Sequence, residues 1–276
     1  MTTVAAPSVA ELPAREQVMA QAKHENFTVA NALLGRHRAR HLTAIYGFAR
    51  LVDDVGDEAA GDRGALLDLV ELELRRAFSE ADGAPQHPVM IELAATIREC
   101  GLTAGPFERL IMANRMDQVV TRYDTFEQLL GYCQLSAAPV GELVLGVFGA
   151  ATPARVELSD RVCAGLQIVE HLQDISEDHR RGRVYLPKED LIRFGCDEAD
   201  LSGEPTAALQ ALVAFEAARA GQLLSDGAPL ARTLPFRPRL AVAGFIAGGR
   251  RAIDELPAVS RGGGLTKHLL KALVGR

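Results

Sequence analysis

The stretch RLVDDVGDE, residues 50–58, places Asp53, Asp54, Asp57 and Glu58 directly behind Arg50. On a helix, residues three and four apart share a face, so Tyr46, Arg50, Asp53 and Asp57 fall within one narrow sector. Like charges at i,i+4 destabilise a helix by about 0.2–0.5 kcal/mol per pair. Either this sector is a solvated face or a cation sits among the acids. A second stretch, GLQIVEHLQDISEDHRRGRVYLP (165–187), repeats the design. Glu170, Asp174 and Asp178 follow at i, i+4 and i+8, with Gln167 and His171 on nearby sectors and Arg181 one turn later. Apolar Leu166, Ile168, Val169, Leu172 and Ile175 share the helix. One such stripe alone reads first as solvated charge. Two, each with aspartates at i,i+4 and an arginine within a turn or so, shift the reading toward a bound cation.

Carboxylates at i,i+4 lie about 6 Å apart along the axis. That spacing suits a hard cation such as Mg²⁺, which takes oxygen ligands and keeps water and substrate phosphates in its other positions. Two rows across a cavity could hold a cluster of metals around a diphosphate, with arginines meeting the remaining phosphate oxygens. The metal charge would offset the repulsion among the acids. A di-iron bundle would instead need Glu-x-x-His pairs, and the chain has none.

The elements that must carry these rows are helical. Apolar periodicity of the helical kind dominates and strand-like alternation is nearly absent. The pattern predicts helices near 15–35, 38–59, 63–80, 87–100, 106–121, 125–149, 153–180, 187–195, 206–225, 237–256 and 264–274. Thr125, Thr152 and Thr206 mark starts, and Gly101 and Gly195 mark stops. Pro153 follows Thr152 and suits a first helical position. Pro139, inside SAAPVGELVLGVFGA, either kinks one helix and lets a wide cavity open beside Gly141 or separates two helices. Connections are short and no repeat or linker is visible. The expectation is one all-α domain over 1–276, with 1–14 flexible and too many helices for a four-helix bundle.

Composition narrows the function. Of 276 residues, 48% are hydrophobic and 24% charged, ordinary for a globular protein. Net charge is −6, which disfavours nucleic acid as a partner. Cys100, Cys133, Cys163 and Cys196 form no C-x-x-C pair and read as buried thiols of a reducing compartment. The N-terminus lacks a basic region followed by an apolar core. No run of 18 apolar residues occurs; LVLGVFGAA and LAVAGFIAGG are too short to span a bilayer. The expectation is a cytoplasmic protein.

DDVGDE (53–58) and LQIVEHLQDISEDHRRGRVYLP (166–187) resemble the two signatures of the squalene and phytoene synthase family. YCQLSAAPVGE (132–142), RGRVYLP and the helix order extend the likeness over most of the chain. HENFTVANALL (24–34) resembles the hydroxysqualene synthase branch of hopanoid biosynthesis, and VEHLQD and AGFIAGGRR lean the same way. The resemblance implies the class I isoprenoid synthase fold around a central cavity. It implies Mg²⁺, three ions, held by Asp53 and Asp57 and by Asp174 and Asp178. Glu170 stands where the family usually has a metal-binding Asn. Arg50, Gln167, Arg183 and Tyr185 match positions lining the diphosphate or cavity, and Phe27 and Tyr132 are assigned to substrate with them. Tyr46, Asp54, Asp117 and Arg122 match family positions of less defined role. Gly248-Gly249 aligns where many members carry a cavity tyrosine.

The implied reaction is ionisation of presqualene diphosphate with rearrangement and water capture, giving hydroxysqualene without a nicotinamide cofactor. LIMANRM, LVLGVFGA and AVAGFIA would form the apolar wall. Tyr46 and His171 are candidates to hold the water, although His171 reads first as a packed or surface histidine. His24 reads equally as a helix-end residue or a ligand contact. The alternatives are a squalene or phytoene synthase condensing two prenyl diphosphates and a non-catalytic prenyl-binding protein; two intact aspartate pairs argue against the last. An apolar substrate implies peripheral membrane contact and pathway partner enzymes. The basic amphipathic tail LTKHLLKALVGR (265–276) could touch anionic lipid or dock as a terminal helix.

Overall fold

A computed structural model describes residues 7–20 and 35–256. The predicted helix 264–274 and the basic tail lie outside these residues, as do His24, Phe27 and the stretch around them. Among the described residues the structure is α-helical, with one isolated bridge between Arg122 and Val184 in place of any strand. The contacts divide into two compact units, residues 1–118 with 143–151, and residues 119–142 with 152–274.

The first unit contains α1 (Arg15–Ala20), α2 (Arg36–Asp57), α3 (Arg63–Phe78), α4 (Pro88–Cys100) and α5 (Ala104–Asp117). Local chemistry sets their ends. Asp62 accepts from the Ala65 amide to cap α3. Pro88 opens α4, and Gly101, at φ 62°, closes it where the sequence predicts a stop. Helix α2 packs against α1, α3, α4 and α5. Its Phe48, Leu51, Val52 and Val55 are fully buried, each burial contributing about 1.5–3 kcal/mol. Phe48 meets Phe107 edge-on at 5.1 Å. Within the 1–14 stretch, Leu12 is buried, and the Pro13 carbonyl lies 3.0 Å from His87 Nε2.

The second unit carries α6 (Phe126–Ser136), the start of α7 (Ala138–Val147), α8 (Pro153–Gln173), α9 (Ile175–Arg180), α10 (Lys188–Phe194), α11 (Ala207–Gly227), α12 (Pro229–Thr233) and α13 (Phe236–Asp254). Thr125 and Thr206 cap α6 and α11 through their side chains as predicted. Gly195 closes α10 at φ 67°. Thr152 stands at the start of α8 with Pro153 inside the first turn, but its side chain makes no cap bond. Helix α12 lies in the stretch 226–238, read from sequence as a loop.

Two predicted helices are each divided. The stretch 125–149 breaks at Ala137, which resolves Pro139 as a separator. It falls in the first turn of α7, where a missing N–H costs no helical bond. Gly141 serves close packing: a Cβ there would fall 2.3 Å from Ser159 Oγ and 2.6 Å from Cys163 Sγ. The stretch 126–147 is apolar enough by composition to cross a membrane, yet the break interrupts it, and Leu129, Tyr132 and Cys133 are buried. The stretch 153–180 breaks at Asp174, whose φ of −105° and ψ of 14° leave the helical range.

Candidate active site

In the first unit, α2 presents the first carboxylate row. Asp53 and Asp57 are half-buried on it, whereas Asp54 is buried. Asp54 pairs with Arg50 one turn before it, its Oδ1 2.7 Å from Arg50 Nη2. Burial pushes its carboxyl up to about 6 despite the opposing guanidinium. Arg50 Nη2 also reaches Glu58 Oε1 at 3.4 Å. Arg50 is itself buried, and its Nε–H has no hydrogen-bond partner among the described residues. An arginine with a buried unused donor is suited to a phosphate oxygen. Tyr46, one turn earlier, is buried as well.

Helix α5 fixes Asp53. Asn114 Nδ2 donates to Asp53 Oδ1 at 3.0 Å and to the Leu110 carbonyl at 3.3 Å. Gln118 Nε2, one turn on, donates to the Gly56 carbonyl at 2.9 Å. The two helices approach this closely because residue 56 is glycine. A Cβ there would lie 2.2 Å from Asn114 Oδ1, far inside contact distance. Asp117, three residues after Asn114, is buried on the same helix. LIMANRM was read as an apolar wall; Asn114 is instead the residue that orients a carboxylate. The signal was available, since Asn114 is a lone neutral polar residue one turn before Asp117.

In the second unit, α8 and α9 carry the other row. The helix breaks at Asp174, but the i→i−4 bonding runs through. Asp174 N–H donates to the Glu170 carbonyl at 3.0 Å and Asp178 N–H to the Asp174 carbonyl at 2.8 Å. The register of Glu170, Asp174 and Asp178 therefore survives the break. Glu170 and Asp178 are buried and Asp174 half-buried. Gln167 Nε2 lies 3.2 Å from His171 Nε2, and Gln167 Oε1 is buried with no hydrogen-bond partner among the described residues.

His171 is packed, as its first reading held. Its ring stacks on Tyr185 at 3.7 Å and 11°, and its Nδ1 lies 3.9 Å from Asp178 Oδ2. Tyr123, Tyr132 and Tyr185 cluster with it, ring centroids 5.6–5.8 Å apart. Tyr123 was not singled out from sequence. The loop after α9 is pinned beside this cluster. Val184 N–H donates to the Thr121 carbonyl, Lys188 N–H to the Tyr123 carbonyl and Arg183 N–H to the Asp178 carbonyl, each at 2.9 Å. That holds Tyr185 against His171 and leaves the Arg183 side chain half-buried.

Arg122 is committed elsewhere. Its Nε and Nη2 grip Glu198 at 2.7 and 2.8 Å, and its Nη1 donates to the Gly182 carbonyl at 2.6 Å. It fastens the loop. Gly249, aligned loosely with a cavity tyrosine, is buried; a Cβ there would fall 2.6 Å from Leu166 Cδ2 and 3.0 Å from Leu224 Cδ1. The glycine lets α13 pack against α8 and α11, while at Gly248 a Cβ would meet open space.

The donor set of both rows consists of carboxylate oxygens, which fits Mg²⁺ and disfavours softer metals.

These helices, their order and their acidic rows define a class I isoprenoid synthase fold. A solved structure described as squalene synthase HpnC from Alicyclobacillus acidocaldarius superposes with a TM-score of 0.80, at 41% identity over 87% of this chain and 90% of that one. The family model for squalene/phytoene synthases matches residues 20–265, and the chain belongs to that family. It is 34% identical to a hydroxysqualene synthase of Rhodopseudomonas palustris over 211 residues, 76% of this chain and 71% of the relative. It is 31% identical to a phytoene synthase of Mycobacterium bovis over 223 residues, 79% of this chain and 72% of the relative. The protein is therefore an enzyme of prenyl diphosphate chemistry.

Proposed function

We propose that the protein is a hydroxysqualene synthase: it ionises presqualene diphosphate, rearranges the cation and ends the reaction with water, releasing diphosphate. The observation that supports diphosphate ionisation is the survival of the carboxylate register on α8–α9 through the break at Asp174, together with an Asp53 oriented by Asn114 on α2. The hydroxysqualene branch is favoured by the ENFTVA stretch and by Glu170 in place of the usual Asn. In this reading the two units form one prenyl synthase domain.

Asp53 and Asp57 would hold Mg²⁺ on one side of the diphosphate, and Asp174, Asp178 and Glu170 on the other. Bound Mg²⁺ supplies the positive charge that stabilises the departing diphosphate. Arg50 donates its unused Nε–H to a phosphate oxygen and Arg183 adds a second guanidinium, so both donors meet charge as it develops. Gln167, Tyr132 and Tyr185 line the substrate side with Phe27. The aromatic faces of the cluster around Tyr185 stabilise a nearby carbocation through their quadrupoles. Tyr46 is the candidate to position the terminating water; His171, committed to its stack, serves to hold Tyr185. An apolar substrate brings the protein to a membrane surface, where pathway partner enzymes deliver the diphosphate and consume the alcohol.

Mass spectrometry of products tests the reading. Purified protein with Mg²⁺ and presqualene diphosphate should form hydroxysqualene, with or without reduced nicotinamide. The second reading, condensation of two prenyl diphosphates, rests on the similarity to phytoene synthase. Turnover of farnesyl diphosphate alone to a C30 diphosphate would replace the first reading with the second.

A further inference from the structure

Away from the carboxylate rows, α2 and α4 bring together three side chains of a different chemistry. His37 and His41 are one turn apart on α2, and Glu99 lies near the end of α4. Their ligand atoms all lie within 4.8 Å of one another. His37 Nε2 and His41 Nε2 are 3.4 Å apart, and His41 Nε2 is 3.6 Å from Glu99 Oε2. Two nitrogens bound tetrahedrally at a Zn–N distance of about 2.0–2.1 Å lie about 3.3–3.4 Å from each other. The spacing is thus already that of two ligands on one metal. As a direct hydrogen bond between rings, 3.4 Å is longer than the usual range of about 2.7–3.2 Å.

The surroundings match a ligand set. His41 is buried, and its other nitrogen, Nδ1, lies 3.1 Å from Thr96 Oγ1. Thr96 is buried on α4, one turn before Glu99. With Nδ1–H donated to that hydroxyl, Nε2 presents its lone pair toward His37 and Glu99, the arrangement that orients metal-bound histidines. Arg40 precedes His41 on α2. Arg40 also pairs with Glu99. Both side chains are about half exposed, so the pair is weak and yields to a divalent ion. His37 is exposed, which leaves the point between the three atoms reachable from solvent.

We propose that His37, His41 and Glu99 form a zinc site, with water as the fourth ligand, that clips α2 to α4. Imidazole nitrogens select zinc over magnesium, so the site is separate in chemistry from the carboxylate rows. It steadies the helix that carries Asp53 and Asp57 and takes no part in bond breaking.

The test uses the full-length protein, stripped of metal by chelator and kept in excess Mg²⁺ so that the carboxylate rows are occupied. Co²⁺ is titrated by visible absorption, then displaced with Zn²⁺. One equivalent of Co²⁺ should give the intense spectrum of a four-coordinate site, Zn²⁺ should abolish it, and Zn²⁺ should raise the melting temperature. His37→Gln and Glu99→Gln, both at exposed positions, should lose the spectrum with an unchanged circular dichroism. Thr96→Val should keep the stoichiometry and weaken affinity about 10- to 100-fold. Asp53→Asn and Asp174→Asn should leave the spectrum intact, so failure of the catalytic reading would not touch this result. A wild-type protein without the four-coordinate spectrum, or one whose spectrum survives both His37→Gln and Glu99→Gln, overturns the proposal.

Discussion

Gly56→Ala isolates the contact that aims Asp53. In the helix interior, alanine is favoured over glycine by about 0.8–1 kcal/mol, so an unobstructed site would be stabilised. Here the new methyl falls 2.2 Å from Asn114 Oδ1, 3.0 Å from its Cγ and 3.2 Å from its Cβ. Asn114 is buried on a packed helix, and relieving such overlap costs about 1–3 kcal/mol. The displaced amide also gives up its bond to Asp53, and a hydrogen bond to a charged group contributes about 1.5–3 kcal/mol. The net expectation is destabilisation by about 2–4 kcal/mol, read by urea unfolding. The Mg²⁺ concentration for half-maximal turnover should rise about 10- to 100-fold, the usual effect of losing a residue that orients a metal ligand. The double variant Gly56→Ala/Asn114→Ala removes the overlap with the amide and leaves only the 3.2 Å contact with Cβ. It should recover the stability of Asn114→Ala alone while keeping the raised Mg²⁺ requirement. A Gly56→Ala protein as stable as wild type with an unchanged Mg²⁺ requirement would refute the claim that this contact sets Asp53.

Asp53→Ala and Asp174→Ala should each abolish turnover while the urea midpoint stays near wild type; retained turnover removes the metal roles. Arg122→Ala should destabilise by about 1 kcal/mol, since its pair with Glu198 is partly exposed, with turnover nearly unchanged; a large loss of rate at full stability would return Arg122 to the site. Glu216 and Asp190 are both buried and share Arg219, with Nη1 2.9 and 2.6 Å away. Burial raises the Glu216 pKa above its ordinary value, so the folded state binds a proton that the unfolded chain has already released. That stability is present at low pH and is lost as pH rises toward the folded pKa, by at most about 1.4 kcal/mol per pH unit. Urea unfolding between pH 5 and 8 should show the decline, and Glu216→Gln should flatten it; equal slopes in both proteins would contradict the assignment.

The helical class, most helix limits and both acidic rows were legible because each rests on a local rule: periodicity, a capping threonine, a stop glycine. The helix 153–180 was read as unbroken because its apolar pattern continues through Asp174, and a one-residue departure of the backbone leaves no mark on period; at Pro139 the sequence left a kink and a break equally open. What stayed hidden was long-range. Arg122 could be matched to a family position of undefined role, but its partner Glu198 is 76 residues away. Gly56 and Asn114 meet only when α2 and α5 are packed. Gly141 suggested space for a ligand beside a kink, whereas folding fills that space with Ser159 and Cys163.

In the proposed function, the row on α2 and the row on α8–α9 bind one metal–diphosphate cluster. A crystal structure with Mg²⁺ and an unreactive thiolodiphosphate analogue of the substrate tests it directly. The account predicts a single diphosphate whose Mg²⁺ ions are ligated by Asp53 and Asp57 on one side and by Asp174 and Asp178 on the other. A diphosphate held by one row alone, with the other row facing solvent and free of metal, would contradict it.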